Sequence, residues 1–184
     1  MRISLKSLGF ARLLAQNYQQ PINFGLKVMS SYVTTPHGYV DVHAHLIHEQ
    51  FKGEEDAIIR KAADAGLDYV VCNGLEPISN RATLALSEQY PHILPALGIY
   101  PLDAACNFIV PGDNWNHPFS PPEKFDIEAE IAFIDTMAAE KKIVAVGECG
   151  LDKHYLTDTV SFAEQERVLR LLMRVTTVVL KSDY

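Results

Sequence analysis

From Tyr39 onward the chain alternates short apolar runs with amphipathic stretches of helical period, and this alternation limits the possible folds more than any other feature. Strand signals fall at residues 39–43, 68–72, 93–99, 143–147 and 176–180. Helical patterns fill the gaps at 52–65, 77–90, 126–140 and 161–175. The punctuation agrees: Gly66 follows the first helix, Asn73-Gly74 ends the second strand, and Pro77 opens the next helix. Asp126 is the expected cap of the third helix, and Ser161 with Glu164 forms a capping box for the fourth. The strands are short and continuously apolar, as in a parallel sheet covered by helices. Two architectures satisfy this α/β pattern, an open doubly wound sheet and a (β/α)₈ TIM-type barrel. A complete barrel takes about 250 residues, and 184 − 38 = 146 remain after the N-terminal stretch. The expectation is therefore the first half of a barrel, about five parallel strands and four helices.

Charge and cysteine content narrow the function. The net charge of −7 argues against a nucleic-acid binder that works through a broad basic face, while leaving a metal-centred site open. Cys72, Cys106 and Cys149 are odd in number and widely spaced, so neither a disulfide framework nor a thiolate zinc site is indicated. No apolar run is long enough for a spanning helix, so no membrane partner is expected.

Residues 1–38 stand apart. They carry Arg2, Lys6, Arg12 and Lys27 and no acid, whereas 39–184 hold 12 basic and 23 acidic residues. Two domains are read from this break, a basic leader over 1–38 and the barrel part over 39–184. The leader has the composition of a transit peptide, which fits a mitochondrial or other organellar address; the remainder fits a reduced, cytoplasmic setting. Residues 101–125 contain five prolines and no periodicity, and are expected to form a long loop that serves as a lid or substrate wall.

Two motifs carry chemistry. In Asp41-Val42-His43-Ala44-His45, strand alternation points His43 and His45 to the same side, where two imidazoles suit a transition-metal ion. Asp41 is placed to support the strand end from behind by hydrogen bonding. In Val146-Gly147-Glu148-Cys149-Gly150-Leu151-Asp152, Glu148 follows an apolar strand directly and sits where barrel strands display catalytic groups. A carboxylate there can bind one cation or bridge two and help activate water.

These motifs resemble the TatD family of metal-dependent hydrolases. The resemblance runs from about Tyr39 to about Arg174. It rests on D-V-H-A-H-L at 41–46, A-A-D-A-G-L-D-Y-V at 62–70, L-G-I-Y-P-L-D-A at 97–104, V-G-E-C-G-L-D at 146–152 and Q-E-R-V at 165–168. It implies a (β/α)₈ barrel with one or two divalent cations, Mg²⁺ or Zn²⁺, at its mouth, and DNA as the substrate of a DNase. His43, His45 and Glu148 match metal ligands, Glu148 also being the candidate catalytic residue, and Asp152 matches the Asp of the G-L-D turn. Tyr100 stands where the family has His in its G-x-H-P segment; a phenol donates hydrogen bonds but ligates metals poorly near neutral pH. Lys181 occupies the place of a fifth-strand histidine, and the family's ligands from later strands have no counterpart before Tyr184. That pattern is expected of a fragment, a splice variant or a decayed copy.

Three functions compete: a metal-dependent DNase, a hydrolase of a small ester or amide, and a non-catalytic remnant. A half-barrel is also expected to self-associate through its exposed strand edge. His37, His48, His117 and His154 are read as loop or surface residues, Cys149 as facing away from the site, and Trp115 as a lone exposed aromatic. Limited proteolysis checks the division of the chain: early tryptic cleavage is expected at Arg12 and Lys27, before any cut beyond Tyr39.

Overall fold

The computed structural model describes residues 38–115 and 117–181, with side chains described to Val175. The expectations for the basic leader lie almost wholly outside the described residues. Within them the elements run β1 (Tyr39–Ala44), α1 (Glu55–Asp64), β2 (Leu67–Asn73), α2 (Pro77–Gln89), β3 (Ile93–Leu97), the short α3 (Pro101–Ala104), α4 (Ile127–Ala139), β4 (Ala145–Val146) and α5 (Thr159–Lys181). The four strands form one sheet in the order β1-β2-β3-β4, and every pair is parallel. A doubly wound sheet reverses direction at a switch point. This one never does, so the order is that of a barrel wall.

Local chemistry sets most boundaries. Glu76 caps α2, its carboxylate accepting from the Ile78 and Ser79 N–H groups while the Ser79 hydroxyl takes the Glu76 N–H. Asp126 caps α4 by accepting from Ala129 N–H at 3.0 Å. For α5 the cap is Asp158, which accepts from Ser161 N–H at 2.8 Å, so the expected Ser161 capping box is corrected by three residues. Ser161 instead lies inside the first turn and is fully buried.

The largest core cluster joins Leu97 and Ile99 to Ile134 and Ala138 of α4 and to Val168, Leu172 and Val175 of α5. A second cluster holds Ile59 of α1, Val70 and Cys72 of β2, and Leu86 of α2. On β1 the side chains of Tyr39, Val40 and Val42 are exposed, and β1 is an edge strand among the described residues.

Two expectations are overturned. There is no fifth strand at 176–180, because α5 runs unbroken through it to Lys181. No Gly or Pro interrupts the chain after Thr159, and Val168, Leu172 and Val175 continue a helical stripe into the core. The β-branched Thr-Thr-Val-Val run is outweighed by that stripe, and Lys181 ends a helix rather than a strand. Residues 101–125 are also more ordered than a plain loop. They contain α3, a 3₁₀ turn at Cys106–Phe108 and a buried Trp115, whose indole N–H donates to the Phe119 carbonyl at 3.1 Å. The Asn114 side chain accepts from Val110 N–H and donates to the Phe108 carbonyl, folding the segment inward and removing Trp115 from the surface.

Asp103 of α3 supplies a test of the packing. Burial, and then the negative charge of Glu76, push its carboxyl up to about 7 from 3.8. The folded chain therefore holds this proton more tightly than an unfolded chain. The associated stability is present below about pH 4 and is lost as pH climbs through 7. Asp103→Asn should raise the melting temperature at pH 8, raise it less at pH 5, change it little below about pH 4, and flatten the pH dependence between these in thermal denaturation.

Candidate metal centre

The site is assembled at the C-terminal ends of the strands. Asp41 pairs with Val70 and Ala44 with Cys72, so β1 carries one more residue than β2 between these points. This bulge frees the His43 N–H from the ladder, and the Asp41 carboxylate accepts it at 3.0 Å. Asp41 thus holds the backbone of His43 rather than its ring. The rings of His43 and His45 stand edge to face with centroids 4.9 Å apart, and their Nε2 atoms are 3.1 Å apart.

Glu148 arrives from the far side of the sheet. In a flat sheet β1 and β4 would lie three strand spacings apart, about 14 Å. Yet Glu148 Oε2 is 3.3 Å from His43 Nε2 and 3.2 Å from His45 Nε2. Part of the gap is closed by curling of the sheet, and part by the chain after β4. That chain passes over the end of β3, where Gly147 N–H donates to the Leu97 carbonyl at 2.8 Å. Glu148 N–H then donates to the Gly74 carbonyl, at the end of β2, at 3.1 Å. Gly98 lies beneath this crossing. A Cβ on it would come within 2.6 Å of Gly147 C and 2.8 Å of Glu148 N, so only glycine admits the crossing. The two motifs thus belong to the first and last strands of the described sheet and are not on adjacent ones.

The donor set suits a cation. Atoms bound tetrahedrally to one zinc-sized ion at 2.0–2.2 Å stand about 3.3–3.6 Å apart, and the three donor atoms here are 3.1–3.3 Å apart. His45 Nδ1 lies 3.0 Å from the Asn73 carbonyl, which can only accept. The proton therefore sits on Nδ1, and in a neutral imidazole Nε2 keeps its lone pair for a ligand. The side chain of His43 is about half exposed and that of Glu148 about a third, so the centre opens to solvent.

Other candidates fall outside the triad. The Tyr100 phenol is half-buried; burial first, then the charges of Glu148 and Asp152, push its pKa up and keep it a hydrogen-bond donor. Asp152 is engaged in its own turn, its carboxylate accepting from the N–H groups of His154 and Tyr155 at 2.9 and 2.8 Å. Cys149 packs against the core, and burial followed by Glu148 raises its thiol pKa, so it stays protonated. His48 accepts from Gln50 N–H at a 3₁₀ turn, and His117 packs between Trp115 and Tyr155. Residue patterns do not reveal the Asn73 carbonyl, since a backbone acceptor leaves no residue-type signal, nor do they mark Gly98 as the crossing point.

A parallel half-barrel wall with two histidines and a carboxylate at its C-terminal rim defines the class of metal-dependent hydrolases built on the TIM-type barrel. Residues 40–179 match the model of the TatD related DNase family, and the chain belongs to that family. It is similar to the uncharacterized metal-dependent hydrolase YabD of Bacillus subtilis, with 28% identity over 116 residues, covering 62% of this chain and 38% of YabD. It is also similar to the 3'-5' ssDNA/RNA exonuclease TatD of Escherichia coli K12, with 26% identity over 135 residues, covering 73% of this chain and 44% of TatD. The crystal structure of the TatD homolog YjjV from Escherichia coli superposes with a TM-score of 0.56 at 26% identity, over 75% of this chain and 46% of YjjV. The chain thus spans less than half the length of these relatives. Donor chemistry and metal-dependent relatives together support a divalent metal.

Zn²⁺ at about a hundredfold its dissociation constant should stabilise the fold by about 2.7 kcal/mol, seen as a rise in melting temperature. Glu148→Ala should abolish the metal-induced rise while leaving the metal-free melt nearly unchanged, because its side chain lies at the open rim.

Proposed function

We propose that this chain provides the metal-binding half of a phosphodiesterase acting on nucleic acid, with DNA as its substrate. The observation that carries the reading is the convergence of His43, His45 and Glu148 within 3.3 Å at the rim of a parallel sheet. Relatives described as ssDNA/RNA exonucleases support the substrate class. Two imidazoles and one carboxylate favour Zn²⁺ over Mg²⁺, which prefers an all-oxygen shell.

When bound, the cation supplies Lewis acidity to a phosphate oxygen and lowers the pKa of a water that attacks phosphorus. His43 and His45 offer neutral nitrogen donors, with His45 held in its tautomer by Asn73. Glu148 supplies the negative charge that offsets the cation. Tyr100 donates its phenolic proton in a hydrogen bond to a substrate oxygen. Hydrolysis would join the water oxygen to phosphorus and break the bond from phosphorus to the leaving oxygen, with the proton given up by the water ending on that oxygen. The protein as a whole repels polyanions at −7, so affinity is expected to depend on the cation rather than on a basic face.

A small ester or amide substrate is the second reading, and the acidic surface favours it, because a neutral substrate avoids that repulsion. Self-association through the exposed β1 edge belongs to the proposal, so the assay is run over a range of protein concentrations. With three donors brought together among the described residues, turnover by the 184-residue chain is expected to be far below that of a full-length relative. Purified 1–184 is incubated with labelled single-stranded DNA and Zn²⁺, Mn²⁺ or Mg²⁺, beside Glu148→Ala. Slow cleavage that Glu148→Ala removes supports the reading; cleavage indifferent to both the metal and Glu148 overturns it.

A further inference from the structure

Beneath the rim lies a polar cluster that the metal centre does not use. Asn80 of α2 and Glu130 of α4 are both buried, with relative exposures of 0% and 2%. The Asn80 amide is fully engaged: Nδ2 donates to the Gly98 carbonyl at 2.9 Å and to Glu130 Oε1 at 2.7 Å, while Oδ1 accepts from Gly98 N–H at 3.2 Å. The other Glu130 oxygen pairs with Arg81, whose guanidinium lies 3.8 Å over the Phe133 ring. Asn80 also packs under Gly74, where a Cβ would come within 2.9 Å of the Asn80 Cα and closer still to Oδ1.

Gly74 and Gly98 are the two points on which the Glu148 backbone rests. The Gly74 carbonyl accepts the Glu148 N–H, and Gly98 lies against the Gly147–Glu148 peptide. Asn73, next to Gly74, holds the His45 ring. One buried amide therefore bonds the end of β3 and packs against the end of β2, the two strand ends on which the Glu148 backbone rests and beside which Asn73 holds His45.

We infer that Asn80 is a positioning residue of the metal centre, acting through Gly98 and Gly74 to set Glu148 against His43 and His45. This role rests on the metal-centre reading above, and it requires the amide itself. A carboxylate at position 80 would face Glu130 and the Gly98 carbonyl, both acceptors, so Asp does not replace Asn. Glu130 plays a different part, since it orients Asn80 and anchors α2 to α4 without touching the rim.

The test separates position from stability. Co²⁺ affinity is read from the d–d absorption of the bound ion, and the fold from metal-free melting. Asn80→Ala should weaken Co²⁺ binding about 10–100-fold, the range for residues that orient metal ligands. Glu130→Gln keeps an acceptor for Asn80 but weakens the Arg81 pair. It should lower the melting temperature while leaving Co²⁺ affinity within about threefold of the wild type. A metal-free arm follows hydrogen exchange at the Glu148 amide. Its protection should fall by about tenfold or more in Asn80→Ala, relative to the Val70 amide in the middle of β2.

If Asn80→Ala does not fold, Asn80→Ser, which removes the amide that bonds both backbone groups of Gly98 but leaves a hydroxyl in the buried site, is read in its place by both measurements. Unchanged Co²⁺ affinity and unchanged Glu148 exchange in the folded variant would overturn the inference. So would affinity losses in Asn80→Ala and Glu130→Gln that simply track their loss of stability. A wild-type chain that binds no Co²⁺ in a Glu148-dependent way would count against the metal reading alone, and amide exchange would still decide the role of Asn80.

Discussion

The close approach of the Gly147–Glu148 peptide to Gly98 is the contact on which the centre depends. Glu148 leaves β4, yet its N–H is bonded to the end of β2 and its carboxylate meets histidines from β1. A chain can cross the end of an intervening strand this closely only where that strand has no side chain to obstruct it. Gly98 supplies the gap, and any Cβ there would collide with backbone atoms that have nowhere cheap to move. Curling of the parallel sheet brings the rim residues towards one another, and the glycine crossing completes the convergence.

Holding such a crossing requires polar groups in the interior, and those groups must be satisfied. The Asn80 amide bonds both backbone groups of Gly98, and Glu130 takes its remaining proton. A carboxylate this deeply buried is tolerable only when paired, and removal of one partner of such a pair typically costs about 3–5 kcal/mol. Arg81 provides the pairing while keeping its outer face in solvent. The helices that cover the sheet thus also fasten its functional end. By contrast, the outer side chains of β1 are exposed, and the order of the rim owes more to hydrogen bonds than to apolar burial at that edge.

The two motifs, with the family resemblance they carry, make the chemistry legible in the residue types themselves. His-x-His after a strand signal and Glu after an apolar run are residue types with few other reasons to recur together. Helices α1, α2 and α4 are legible because helical spacing agrees with the punctuation at their ends: Gly66 after α1, Pro77 at the start of α2 and Asp126 capping α4. The last segment misleads because a β-branched run has strand propensity, whereas its place in the chain follows from what precedes it: an uninterrupted helical stripe packed on α4. Trp115 misleads for a related reason, since a proline-rich stretch looks open until Asn114 is seen to pull it inward.

From sequence alone, periodicity points to the parallel α/β class, and the two motifs point to the family and to three candidate donors through their resemblance to it, because residue types and their spacing are legible without any distance. Only the tertiary structure decided that the donors come from the first and last of four strands and meet within 3.3 Å. It also decided that Asp41 serves a bulge, that Asp152 serves its own turn, and that Asn73, Asn80 and Gly98 support the centre. Those roles rest on backbone carbonyls, a missing Cβ and contacts between residues up to 50 positions apart. Such relations have no signature in the order of side chains along the chain, and they come into being only when the sheet curls and the helices close over it.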